Sequence, residues 1–404
     1  MNIRSANSGF DCPAIGSKGL VLRRRRRSDG ALASRSFPVI AIFVLIACAF
    51  TSVVGLSVNL QRPDSRPSPL ANDWTNMVPG PPTPSARWSH TLAYDDYHDL
   101  VIMFGGFDTG YNAETWSYNF NGNSWSNLIP SGGMPGRMDH AMVWDSADHR
   151  IIVFGGISAS TGMNSETWEY TYETNKWLLM NNGQLSPRGS MAMAYDNNRN
   201  KVYLHGGYGG GSGDTWSFNY GTNTWSNLNP LPPPNPSSRY GHAMAYDSES
   251  DQVILFGGND GSLRNDTWAY SPAFNMWTQM NPSTKPPVRY YHSMVYDSVI
   301  DRIIMLGGSF STGYWDDVWT YDYNTNTWEK REPSSKPSAR WYHSMAYDSE
   351  SDRVIMFGGW DSTGYSGETW SYELSPPDVP FLPSGMAVMA AIPVMGYMIL
   401  RRRL

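Results

Sequence analysis

The chain has 404 residues, with 38 Gly, 28 Pro, 17 Trp and 24 Tyr against only 16% charged residues. That composition suits turns and aromatic strands and excludes a disordered chain. Net charge is −6, but residues 61–380 hold 19 basic and 34 acidic residues, a net −15 that the two ends offset; so acidic a body repels nucleic acid, and no nucleic-acid partner is expected. The two cysteines, Cys12 and Cys48, lie ahead of this body, so no disulfide staples it and packing must hold it.

In chain order, residues 1–36 are basic and carry the run Arg23 to Arg27. Residues 37–58 are apolar and long enough to cross a bilayer as a helix, with the basic flank inside and the following chain outside. This is a signal peptide or a signal-anchor helix. Leu45-Ile46-Ala47-Cys48 resembles a lipoprotein processing box, although Ala49, Phe50, Val53 and Val54 stay apolar where lipoproteins turn polar. Residues 59–71 read as a linker, 72–374 as the body and 375–378 as a second linker. Residues 379–404 form another apolar stretch closed by Arg401, Arg402 and Arg403. A Pro before a short span ending in Arg resembles the C-terminal sorting tails of archaeal and some bacterial surface proteins; a plain transmembrane anchor is the alternative. Either reading puts the body at the cell membrane, on the extracellular side, tethered through both ends.

The body repeats. Paired glycines stand at Gly105 and Gly106, Gly155 and Gly156, Gly206 and Gly207, Gly257 and Gly258, Gly307 and Gly308, and Gly358 and Gly359. Each pair ends a short apolar run such as Val253 to Phe256, the pattern of a strand buried on both faces. Upstream, a strand runs from an Arg to an Asp: 87–95, 137–145, 188–196, 239–247, 289–297 and 340–348. Downstream, a third strand is built around Trp116, Trp168, Trp216, Trp268, Trp319 and Trp370. A fourth carries Trp125, Trp177, Trp225, Trp277 and Trp328, and the sixth repeat lacks it. Asp73-Trp74-Thr75-Asn76-Met77 has the pattern of Met276 to Met280, so the first ordered strand is expected to complete the last repeat.

Paired Gly after an apolar strand, then spaced aromatics, at about 50 residues per repeat, resembles the Kelch family; Arg-x-x-His before Tyr-Asp and Phe-Gly-Gly after it is similar to secreted, galactose-oxidase-like propellers. The resemblance implies an all-β fold: a six-bladed Kelch-type β-propeller with four antiparallel strands per blade, its ring closed by the N-terminal fourth strand. The copper chemistry of galactose-oxidase-like proteins uses a Tyr cross-linked to Cys. Residues 72–374 contain no Cys, so no cofactor and no metal are expected.

Strand alternation sends both ends from one face of the propeller and leaves the opposite, membrane-distal face free. That face carries the loops after the Gly pairs, and Phe107, Tyr111, Tyr208, Asp260, Tyr314, Trp315, Trp360 and Tyr365 in them are the candidate ligand-binding residues, because rings cover apolar surface while polar groups set orientation. The aromatics that follow the first-strand arginines are read instead as filling gaps between blades. His90, His140, His242, His292 and His343, with Met191 in the third repeat, and the six arginines are read as structural, each bonding a neighbour. No catalytic set is evident, although acids such as Asp108, Asp260, Asp316, Asp317 and Asp361 sit on outer loops. The expected function is a membrane-tethered extracellular module binding a surface protein or a glycan; the alternatives are a polysaccharide hydrolase or lyase at the same face, or a structural envelope protein.

Overall fold

A computed structural model of the chain describes residues 72–210 and 213–374. The segments 1–36, 37–58, 59–71, 375–378 and 379–404, with their signal, anchor, lipid and sorting readings, lie outside the described residues. Among the described residues, no helix is long and apolar enough to cross a membrane.

Six four-stranded antiparallel sheets account for the repeats, with one short 3₁₀ turn at Tyr220–Thr222 as the helical element described. The fourth sheet is representative: Ala243–Asp247, Gln252–Phe256, Thr267–Ser271 and Met276–Met280 lie side by side in chain order. Val253, Ile254, Leu255 and Phe256 are fully buried because each second strand has a neighbouring sheet on both faces. At roughly 1.5–3 kcal/mol per buried large apolar side chain, these strands are the main source of stability. In the fourth strand only Trp277 is fully buried; Met276 and Met280 are half-buried and Thr278 and Gln279 are exposed, as on an outer strand open to solvent.

The core is divided into clusters, each between adjacent sheets. One joins Leu92, Met103 and Trp125 of the first sheet to Ile355 and Phe357 of the sixth. In the sixth sheet, Ser344–Asp348, Arg353–Phe357 and Thr369–Tyr372 are joined by Trp74–Asn76, which pairs antiparallel with the last of them, Trp74 opposite Tyr372. At the same edge the Asn72 N–H donates to the Glu373 carbonyl at 2.9 Å, so the two ends of the described chain lie side by side.

The Gly pairs are required by close approach. Gly257 and Gly258 have φ of 69° and 92°, and a Cβ would stand 2.7 Å from the Arg289 carbonyl oxygen at the first and 2.9 Å from His242 Cβ at the second. Glycine alone fits such a left-handed, crowded position without strain. The Gly258 N–H in turn donates to the Arg289 carbonyl at 2.9 Å, tying the fourth sheet to the fifth. The second glycine of every other pair makes the same tie. Gly106, Gly156, Gly207, Gly308 and Gly359 donate to the carbonyls of Arg137, Arg188, Arg239, Arg340 and Arg87, each at 2.9 Å. The last of these bonds joins the sixth sheet to the first.

A second tie uses the fourth-strand tryptophans. The indole N–H groups of Trp125, Trp177, Trp225, Trp277 and Trp328 donate to Thr369, Thr115, Thr167, Thr215 and Thr267 of the preceding sheet at 2.9–3.0 Å. Trp74 occupies the equivalent place in the sixth sheet, but the position that would accept from it is Val318, and its indole nitrogen is buried with no partner. Val318→Thr is therefore expected to stabilise the fold by about 1 kcal/mol, the net worth of a neutral buried hydrogen bond. Urea unfolding checks this, and the gain should vanish in a Trp74→Phe background. A gain that survives there would show that the added hydroxyl does not act through Trp74.

The first strands begin later than the sequence pattern suggests, at residues such as Thr91, Ala243 and Ser344 rather than at the arginines. A residue in the left-handed region breaks each one: Ser89, Asp139, Ser190, Gly241, Tyr291 and Tyr342 all have φ between 55° and 64°.

Candidate functional site

Those six left-handed residues surround the mouth of a central channel. Their backbones form one cycle of hydrogen bonds: Asp139 donates to Ser89 (3.3 Å), Ser190 to Asp139 (2.8 Å), Gly241 to Ser190 (2.9 Å), Tyr291 to Gly241 (2.6 Å), Tyr342 to Tyr291 (3.0 Å) and Ser89 to Tyr342 (3.0 Å). Below them the channel is lined by the histidine positions and by Leu92, Met142, Met193, Met244, Met294 and Met345. Asp139 is the one acid in the cycle. The hydroxyls of Ser89 and Ser190 donate to its carboxylate, while burial pushes the carboxyl above its ordinary range.

The arginines just ahead of this cycle are structural. Arg289 is fully buried; its guanidinium donates to the Gly307 carbonyl (2.8 Å) and, as a fork, to both oxygens of Asp317 (2.7 and 2.8 Å). Trp319 donates its indole N–H to the same carboxylate at 2.7 Å. The set recurs in every repeat, with Glu114, Glu166, Asp214, Asp266 and Glu368 as the other acids. These partners belong to the arginine's own repeat; the expectation of a bond to a neighbour holds only for its main-chain carbonyl.

The histidines are structural too. His90, His140, His242, His292 and His343 are buried and turned toward the backbone carbonyls of Phe357, Phe104, His205, Phe256 and Leu306 in the preceding sheet, but of their rings only His140 makes a side-chain hydrogen bond, to the Thr91 hydroxyl at 2.6 Å; both ring nitrogens of the other four are buried without a hydrogen-bond partner. His205 stands in the second strand where Phe104 and Phe256 stand in theirs, with its ring 5.3 Å from Trp277. Burial, then a nearby arginine or histidine, holds these imidazoles neutral, at about 3 for His140, His205 and His343 and well below the ordinary value for the others. Among the described residues no group of three or more His, Cys, Asp or Glu is placed to hold a metal ion.

The sequence-selected loop residues divide into two groups. Phe107, Tyr111, Tyr208, Tyr314, Trp360 and Tyr365 come together through the first-strand aromatics. Trp88 touches Phe107, Trp360 and Tyr342 at ring distances of 6.0, 6.2 and 4.7 Å. Tyr111 stands edge-on to Phe107 and Tyr365 to Trp360. Tyr342 stacks on Tyr291 at 3.8 Å, Tyr314 lies parallel to Trp341, and Tyr240 links Tyr290 and Tyr291 to Tyr208. These rings are half-buried or exposed, with Tyr208 61% accessible, so they surface the face rather than fill gaps beneath it.

Trp315 and Asp260 stand apart. The Trp315 indole donates to the Val288 carbonyl and its ring packs on Phe310 and the Arg289 guanidinium. Asp260 accepts from Ser237 and pairs with Arg264 at 2.7 Å; these bonds outweigh burial and hold its carboxyl at about 2. Asp108 and Asp361 are held the same way by Ser85 and Ser338, each on its own loop. Asp316 pairs with Lys336 and Asp317 with Arg289. Each of these acids is thus engaged by a serine, lysine or arginine partner.

The residues that sequence reasoning missed are Asp139 and Gly189. Aligning the repeats at the first-strand arginine exposes both: the next position reads Trp88, Met138, Gly189, Tyr240, Tyr290, Trp341, and the one after reads Ser89, Asp139, Ser190, Gly241, Tyr291, Tyr342.

Residues 68–258 match the family described as the KLHDC2/KLHL20/DRC7 Kelch-repeats domain, and residues 209–379 match the Attractin/LZTR1 beta-propeller. With the all-β sheet arrangement above, these matches decide the fold. The fold is that of a Kelch-repeat β-propeller. The Kelch propeller is similar to Kelch domain-containing protein 2 of Bos taurus, 28% identical over 33% of this chain and 33% of that protein. It is similar to multiple epidermal growth factor-like domains protein 8 of Rattus norvegicus, 27% identical over 35% of this chain and 5% of that protein. Host cell factor 2 of Homo sapiens is 27% identical over 50% of this chain and 28% of that protein. The chain thus spans a third or less of the length of these relatives. Kelch propellers form a family of protein-interaction modules.

Proposed function

We propose that this Kelch propeller binds a protein partner on its aromatic face, at the mouth of the central channel, and is held at a cell membrane on the extracellular side. The observation that carries the reading is the continuous run of accessible rings from Tyr208 to Tyr365 around the channel mouth. Large rigid rings gain contact area at little entropic cost, which is why they anchor interfaces. We read the six sheets as the blades of one ring latched by Trp74–Asn76, with the hydrogen-bond cycle and the packing of the first sheet on the sixth as support. The tether rests on the two apolar segments of the sequence, and the adjacency of Asn72 and Glu373 suits two tethers leaving the face opposite the rings.

The same rings would suit a glycan, so the partner class is tested directly. Surface proteins cross-linked to the chain on intact cells should be lost in Trp341→Ala, with an unchanged unfolding midpoint. Capture abolished by glycosidase treatment of the partner, with its protein core intact, would replace the protein reading with a glycan one. Protease added to intact cells should release the propeller; full protection would sink the extracellular placement. A hydrolase finds less support, since each outer-loop carboxylate is already engaged by a serine, lysine or arginine of its own.

A further inference from the structure

The aromatic rim has one gap. Of the residues that follow the first-strand arginines, only Gly189 lacks a side chain. Its backbone does not demand glycine, and a Cβ there would sit in ordinary contact, 3.4 Å from Asp139 Cβ and 3.5 Å from Ile157 Cγ1. The missing side chain opens a cavity of about 270 Å³ lined by Asp139, Ile157, Ser190, Tyr208, Tyr240 and Tyr291 together with Gly189 itself. A second glycine lets one of the lining rings pack close to the backbone: any Cβ at Gly241 would stand 2.9 Å from the ring of Tyr291.

We propose that this cavity binds an organic ammonium ion, the side-chain cation of a lysine on the partner protein, unmodified or N-methylated. The inference rests on the protein-binding reading and adds the chemistry of one anchor. Three tyrosine rings line the cavity, one face of Tyr291 being taken by Tyr342; such aromatic walls attract a cation, and one carboxylate supplies a counter-charge. Tyr208 and Tyr240 meet nearly edge to face at 5.8 Å, with Tyr240 and Tyr291 at 6.1 Å, so the rings form angled walls rather than one flat platform. Among the described residues no Arg or Lys pairs with Asp139, whose burial already disfavours its charge. An anion would be repelled by Asp139, and a neutral apolar group would bury that carboxylate unpaired, at considerable cost. A guanidinium pairs best with both oxygens of a carboxylate at once, whereas Ser89 already donates to Asp139 Oδ1 and an ammonium can pair with a single oxygen. A compact ammonium on an alkyl stem meets the remaining need.

The test is calorimetric titration of the full-length chain in detergent with peptides carrying lysine, trimethyllysine, or its neutral tert-butyl isostere, and with tetramethylammonium alone. A cationic peptide should bind at least tenfold more tightly than the isostere. Gly189→Met, which fills the gap as Met138 does in the second repeat, and Tyr208→Ala, which truncates an exposed ring, should each weaken binding tenfold or more without moving the unfolding midpoint. Asp139→Asn should weaken it as well. Equal affinity for the isostere, or no effect of Gly189→Met and Tyr208→Ala, overturns the proposal. Binding of tetramethylammonium but of neither cationic peptide would assign the cavity to a free quaternary ammonium and overturn the lysine anchor. If these titrations fail while Trp341→Ala still abolishes partner capture, only the ammonium inference falls; loss of both results removes the protein-binding reading too.

Discussion

Arg289→Ala is expected to cost the propeller about 3–5 kcal/mol, the range for removing one partner of a buried ion pair. The guanidinium is inaccessible and Asp317 nearly so. Truncation leaves the Gly307 carbonyl and a carboxylate without their donors, with only the Trp319 indole still bonded to Asp317. The physical loss is an uncompensated buried charge rather than a missing attraction. Adding Asp317→Leu to Arg289→Met should therefore recover much of the deficit, because a buried pair replaced by apolar groups of similar volume is often neutral. Lys336→Ala, which breaks the exposed pair with Asp316, should stay within about 0.5 kcal/mol. Urea unfolding of the variants decides it; a loss under about 1 kcal/mol for Arg289→Ala would mean that water reaches the site and carries the charge.

Acid should unfold this protein well above the carboxylate range. His90, His140, His205, His242, His292 and His343 are held neutral by burial and by arginines such as Arg87, Arg137, Arg239, Arg289 and Arg340, with His140, His205 and His343 depressed to about 3. The unfolded chain takes up protons at its ordinary histidine value while the native state does not. Stability is thus fully present above that value and is lost as pH falls below it. Each histidine contributes a slope of about 1.4 kcal/mol per pH unit, so six approach about 8 kcal/mol per unit. Asp95, Asp145, Asp247, Asp297 and Asp348, raised by burial, act in the opposite sense, but only nearer the carboxylate range. Against a total stability of about 5–15 kcal/mol, unfolding should be complete within about two pH units of the unfolded histidine value. His140→Met and His343→Met, which copy Met191 from the same place in the third repeat, should each flatten the slope by about 1.4 kcal/mol per unit. Stability that is constant from pH 7 to about 5 would show that the imidazoles are protonated in the fold.

Much of the frame was legible because it repeats. The paired glycines mark where one sheet's backbone enters the next, and the second of each pair, from Gly106 through Gly156, Gly207, Gly258 and Gly308 to Gly359, bonds the following arginine's carbonyl. No other residue fits that approach, so the constraint is written at every repeat. The tryptophans of the third and fourth strands are legible for the same reason: each has the same task in its sheet, a bond to the acid that holds the arginine or to a threonine of the preceding sheet. The structural reading of the histidines and arginines came from that strict recurrence; the arginines are buried and partnered, as in Arg289 with Asp317, while the histidines are buried but His90, His242, His292 and His343 make no side-chain hydrogen bond. The loop candidates divided because a loop's sequence does not say which way a ring turns. Trp315 turns inward over Arg289 and Tyr314 lies along Trp341, although the two are adjacent in the chain.

Local pattern and a fixed period were enough to specify the all-β repeat architecture, the residues that staple neighbouring sheets and the position of the strand at Trp74, because each of these is a short-range signal or a task repeated at constant spacing. The cycle of left-handed residues and the cavity at Gly189 emerged only with the folded arrangement. Asp139, Tyr208, Tyr240 and Tyr291 come from four different repeats and meet because backbone hydrogen bonds run from Asp139 through Ser190 and Gly241 to Tyr291 and draw the starts of those first strands together. What makes that meeting a cavity is an absent side chain, and the space left by a missing group exists only once its surroundings are in place.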